Sequence, residues 1–259
     1  MTQEQVAKEM VWSLSKMIRI ETAKTGISVN DLKALIQLYG VKDRTDEFVA
    51  LAQAAKQPPW WRRYSETAPP TLLELIDYES AASSVSQFET IFVPGILQTE
   101  DYASIVLQVL YEESPDDERV AALIELRTTR QELLTSDNAP KFFFAMDESV
   151  IRRIVGSPTI MARQLQHLAD VAELPNITIQ IVPFTAGLHP GMKGSFEVVQ
   201  FADSPDEDVV FLEGPRGDFI SDDPNETKGY LEVFERITET ALPPEDSVDR
   251  LRGVAAEMA

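Results

Sequence analysis

The chain has no cysteine, only two histidines (His167 and His189), and no long apolar run. Without cysteine, disulfides and thiolate chemistry are excluded. Two histidines so far apart would leave a zinc site to be built mostly from carboxylates, which is not how zinc is held. No stretch approaches the ~18 apolar residues of a membrane span, and no basic segment precedes an apolar one at the start. A cytoplasmic protein with no membrane association is therefore expected. Glycine-rich phosphate loops, G-x-S-x-G, H-E-x-x-H and EF-hand spacings are also missing, so no cofactor and no metal is expected. Positive charge is scarce as well: 23 basic residues stand against 43 acidic ones, a net of -20. Taken as a whole, such a chain repels phosphate.

The charge is, however, segregated. Residues 1–44 hold seven Lys or Arg against five acids, leaving 16 basic and 38 acidic residues for the rest. A break of this kind marks a domain boundary, and only the N-terminal piece could lie against a polyanion. At 259 residues with 44% hydrophobic composition, the chain can build one sizeable core plus a small extra domain.

The small piece reads as helices. Thr2 and Gln5 form a capping box, followed by Val6, Ala7 and Met10 on one apolar face. Trp12-Ser13 reads as a turn, with Ser13 capping a second helix in which Met17 and Ile20 face inward. Ser15, Lys16, Ile18 and Arg19 then fall outward. A third helix starts at Ser28, carries the stripe Leu32, Leu35, Ile36 and Tyr39, and stops at Gly40. Two short helices joined by a tight turn, the second with polar and basic residues outward, follow the helix-turn-helix plan.

The segment TQEQVAKEM…WSLSKMIRIE…GISVNDLKALIQLYGV resembles the Cro/repressor-type (XRE) helix-turn-helix. Further motifs, WWRRY, VPGILQTEDYA, RQELL, QLQHLADVAELPNITIQIVPFTAGLHPGMKGSFEV and VVFLEG, resemble an actinomycete regulator family. Its members, antitoxin-like regulators, join that head to a large C-terminal domain of poorly known function and are often encoded beside a small partner protein, an arrangement likened to toxin–antitoxin pairs. The resemblance implies a DNA-binding transcriptional regulator; because one recognition helix reads only a half-site, a homodimer on double-stranded DNA is expected. Ser15, Lys16 and Arg19 carry over from it as DNA-facing positions, and Ser13, Ile18 and Lys24 complete the expected DNA-binding set. There are departures. Val11 stands where the turn usually has glycine, Ile18 where a small polar residue is usual, and Thr22-Ala23 where arginine and glycine are common. Met1 stands where a preceding basic helix would already have ended, so the head is expected to lack that helix, by truncation or a misplaced start.

Three regions are expected: a helix-turn-helix domain over 1–56, a linker over 57–70 around QPPWWRRY, and a C-terminal sensing or partner-binding domain over 71–259. The last alternates helical patterns (71–84, 99–110, 116–135, 158–173, 224–241, 245–258) with strand-like runs at 87–93, 141–147, 177–183, 195–201 and 208–214. The fold class is α+β, with a small all-α head and a mixed β-sheet. The runs 141–147 and 177–183 should pair in parallel, and the last three runs should form an antiparallel meander. Polar residues at strand ends and loops, namely Gln98, Arg152, His189 and Glu213, are the candidates for a small-ligand pocket. Glu213 and His189 could alternatively be an acid/base pair of a repurposed enzyme, although a bland reading as a strand-end acid and a loop residue weighs more. The remaining alternative is an antitoxin-like interaction protein that has lost DNA binding.

Overall fold

The structure is a computed structural model. It describes residues 1–22, 25–55, 58–111, 118–202, 207–214 and 217–258. The chain divides into two compact units, Met1–Arg62 and Arg63–Ala259.

The first unit holds helices α1 (Gln3–Glu9), α2 (Leu14–Glu21), α3 (Val29–Tyr39) and α4 (Thr45–Ala54). The capping box at Thr2 and Gln5 closes the start of α1. Ser13 and Ser28 accept the Lys16 and Asp31 N–H groups at the starts of α2 and α3. Each such cap supplies about 1 kcal/mol to a helix too short to stand alone. Val6, Ala7, Met17 and Leu35 form the core, with Met10, Trp12, Ile27 and Leu38 packed around it. Ile20 and Leu32 are half-buried. Tyr39 departs from expectation: it is 45% exposed, because the stripe on α3 rotates by one residue at its end and Leu38 takes the inward place.

The second unit orders α5 (Pro70–Ala81), β1 (Ser84–Glu89), α6 (Glu100–Tyr111), α7 (Glu118–Arg130), β2 (Lys141–Asp147), α8 (Glu148–Arg152), α9 (Pro158–Val171), β3 (Ile177–Val182), β4 (Phe196–Gln200), β5 (Val209–Leu212), β6 (Phe219–Ser221), α10 (Pro224–Thr238) and α11 (Pro244–Met258). The sheet order is β3-β2-β1-β4-β5-β6. β1, β2 and β3 run parallel, while β4, β5 and β6 are joined antiparallel. This is an α+β unit with a mixed six-stranded sheet.

Three expectations shift. β1 begins and ends earlier than 87–93, because Ser83 joins the ladder and the Thr90 N–H is taken by the Ser195 hydroxyl. The three-residue β6 carried no periodicity to read. The expected meander of the last three strand runs forms only in part: β4 and β5 pair antiparallel, but β3 lies at one edge, and the chain crosses the ends of β2 and β1 before entering the sheet as β4. Thirteen residues, 183–195, make that crossing, far more than a passage over three strand spacings of ~4.8 Å requires.

The two faces of the sheet are unequally covered. Val85, Phe142, Phe144, Ile179 and Val199 pack under α5, α6, α9 and α11, in a core that includes Leu75, Tyr102, Leu165 and Leu251. On the opposite face Phe88, Phe196, Val198 and Val210 pack against α10, through Phe234 and Ile237.

Candidate functional site

The surface of α2 is built by its cap and its turn. The turn needs a left-handed residue at position 11, and Val11 adopts φ 54° there while 91% exposed. A β-branched side chain in that conformation costs about 1–2 kcal/mol, which glycine would not incur. Ser13 uses its hydroxyl on the Lys16 N–H at 3.1 Å. Ser15, Ile18 and Arg19 face outward together, one helical turn apart. Among the described residues, Arg19 makes no ion pair. Lys16 is otherwise engaged: its ammonium sits 3.0 Å from an Asp31 carboxylate oxygen and 4.0 Å over the Trp12 ring. Lys24 lies outside the described residues.

In the second unit, the parallel arrangement gathers the carboxyl ends of β1, β2, β3 and β5 at one edge, together with the start of β4. That edge of an α/β-type sheet is where pockets open. The crossing segment 183–195 straps it. Glu148 fixes the strap: one carboxylate oxygen accepts the Phe184 N–H at 2.9 Å, and the other accepts Arg152 and Arg250 at 3.3 and 2.9 Å. Burial works against the Glu148 charge, but the Phe184 N–H and the two arginines outweigh it and hold the carboxyl below its ordinary value. His189, buried in the strap, turns Nε2 toward Asp147 at 3.3 Å and meets the Phe88 ring edge-on. Gly191 passes so close to Phe88 that a Cβ there would lie 2.2 Å from the ring, which explains the glycine.

Between the strap and α10 lies a cavity of about 750 Å³. His189 and Glu213 both line it, with Phe196, Tyr230, Lys193 and Arg236. The other two expected pocket residues do not. Gln98 is buried in scaffolding, its amide donating to the Val93 carbonyl at 2.8 Å and accepting from Arg127. Arg152 pairs with Glu148 and Glu257 in a separate depression beside α11.

Behind the cavity, under α5 and α7, lies a buried acidic cluster. Arg130 binds both oxygens of Glu79 at 2.6 Å, and Glu197 stands 4.0 Å from the same guanidinium. Burial opposes the Arg130 charge, and Glu79, with Glu197 and Glu213, more than restores it. Glu197 is held well above its ordinary value, first by burial and then by the neighbouring Glu79 carboxylate. Glu89 accepts the Gln87 amide at 2.8 Å, and burial with the nearby Glu213 pushes it up to about 8. Glu213 itself reaches solvent, and burial of its carboxyl group together with Asp218 raises it. Among the described residues, no group of three or more His, Asp or Glu is placed to hold a metal ion, and no helix is long and apolar enough to cross a membrane.

Sequence reasoning found the strand-end acid and the strap histidine but missed Lys193, Arg236 and the buried cluster. The signal for the cluster was present: Glu197 interrupts an otherwise apolar strand run, and both faces of that strand are covered.

The head and its α+β companion define a helix-turn-helix protein with a second, separately folded unit. Residues 1–48 match the model of a helix-turn-helix domain, and residues 72–253 match the model of a domain of unknown function, DUF5753. The latter covers well over half of the chain, which therefore belongs to the DUF5753 family. No curated protein and no solved structure matches it.

Proposed function

We propose that the protein is a DNA-binding transcriptional regulator of the XRE type whose C-terminal domain, following a linker at 57–70, takes a small ligand in the cavity under the strap. The helix-turn-helix head carries this reading. Its second helix is capped and core-anchored, and turns Ser15, Ile18 and Arg19 outward from the one part of the chain that is net positive. Charge segregation resolves the conflict with the overall -20, since charges beyond about 10 Å are screened at 0.1 M salt. One such helix reads a half-site, so binding requires a homodimer.

A second reading, an antitoxin-like protein that binds a partner and no DNA, is favoured by one observation. Lys16 is paired with Asp31, and Ile18 can offer at most apolar contact to a thymine methyl, which leaves Arg19 as the main polar contact of α2. The two readings separate in a salt series on a DNA fragment from upstream of the protein's own coding sequence. The regulator reading expects weak, steeply salt-dependent binding. Arg19→Ala should then weaken it by about 1–3 kcal/mol if Arg19 meets a base and by less if it meets phosphate. Absence of binding at any salt would leave the partner-protein reading.

A further inference from the structure

The cavity wall on α10 contains an unexplained glycine. Gly229 sits in mid-helix, where glycine costs more than other ordinary residues. Nothing lies within 4 Å of where its Cβ would be, so no packing demand excludes a side chain. What the missing side chain leaves is space inside the cavity it lines. The rings of Phe196 and Tyr230, 5.0 Å apart, form the apolar floor. Lys193 comes from the strap and Arg236 from α10; among the described residues neither has a carboxylate partner. In a chain of net charge -20, two cations without counter-ions at one cavity are an exception to the general field. Of the two carboxylates on the wall, Glu226 is engaged by the Ser221 hydroxyl, and Glu213 stands at the sheet end beside the buried acids.

Building on the ligand-binding part of the regulator reading, we infer that the cavity binds a small organic acid with an apolar body: Lys193 and Arg236 hold the acid group, Phe196 and Tyr230 take the body, and Gly229 provides its room. About 750 Å³ suits a compact organic molecule. The net charge of -20 makes the claim sharp, because the protein as a whole attracts cations rather than acids.

Three probes of one shape test it: 1-naphthylacetate, its neutral amide and 1-naphthylmethylamine, titrated into the full chain by calorimetry at pH 7. The acetate should bind about tenfold or more tightly than the amide, with the amine weakest, which corresponds to about 1.4 kcal/mol or more. The double variant Lys193→Ala/Arg236→Ala should erase that preference. Gly229→Leu should abolish binding of all three while leaving the melting temperature unchanged or raised by a few degrees, since leucine favours the helix. Equal affinity for the three probes, preference for the amine, no binding at all, or binding that survives Gly229→Leu would overturn the inference. DNA binding is read separately. Lost probe binding with intact operator binding removes the acid site alone, and intact probe binding without operator binding removes the regulator reading alone.

Discussion

Among the described residues, the head keeps five apolar side chains buried, whereas the α+β unit keeps more than forty. The same chain thus contains a unit whose order hangs on individual turns and caps, and one with enough apolar burial to carry a nest of carboxylates inside it. In the head, local errors are exposed: one left-handed valine is a sizeable fraction of what holds it together. In the larger unit, Glu79, Glu89 and Glu197 are all buried, with Arg130 bound to both oxygens of Glu79 and 4.0 Å from Glu197.

The strongest way to break this contrast is to leave the buried acids without their cation. Arg130→Ala should destabilise the second unit by about 3–5 kcal/mol in denaturant melts, because it strands a buried charge. A loss below ~1 kcal/mol would mean that the acids do not depend on the arginine. Next comes Glu89. Its carboxyl is raised in the folded state to about 8, so the folded chain holds that proton where the unfolded chain, near 4.5, has released it. Its contribution to stability is therefore fully present at low pH and lost as pH rises from the unfolded value toward 8. Glu89→Gln should remove that slope and stabilise the protein at pH 8 by on the order of 1–3 kcal/mol, with little change at pH 4; a pH series of melts reads it.

The smaller effects lie in the head. Val11→Gly should stabilise it by about 1 kcal/mol, seen as slower hydrogen exchange in α1 and α2. Destabilisation would show that the valine makes up its strain by contacts. Lys16→Ala should change stability by less than ~1 kcal/mol, as expected of an exposed pair, and should barely alter the salt dependence of any DNA binding.

What could be read from the chain tracks the range of the forces involved. Caps at Thr2, Ser13 and Ser28 and the 3.6-residue stripes are local, and every expected helix of the second unit appears within a few residues of its place. The bounds of β2 were legible because a lysine and an aspartate flank an apolar run. The meander held for β4 and β5 but not for β3, because strand order depends on where a long connection goes, and nothing local records it. The candidate site split along the same line. Glu213 and His189 were legible as strand-end and strap residues, while Gln98 and Arg152 look identical in sequence and are scaffolding. Position along α10 could not mark Arg236 as a cavity residue without the sheet beneath it.

The strap has a further consequence, for how this architecture can change over evolutionary time. One wall of the cavity comes from a single contiguous stretch, residues 188–195, and the opposite wall largely from one face of one helix. Neither stretch supplies the ladder hydrogen bonds of the sheet. A lineage could therefore exchange eight consecutive residues as a cassette, reshaping what the cavity accepts in one recombination event while the strand order beneath is inherited intact. Tolerance of loop swaps at 188–195, with Gly191 retained for its passage over Phe88, would measure how freely that exchange runs.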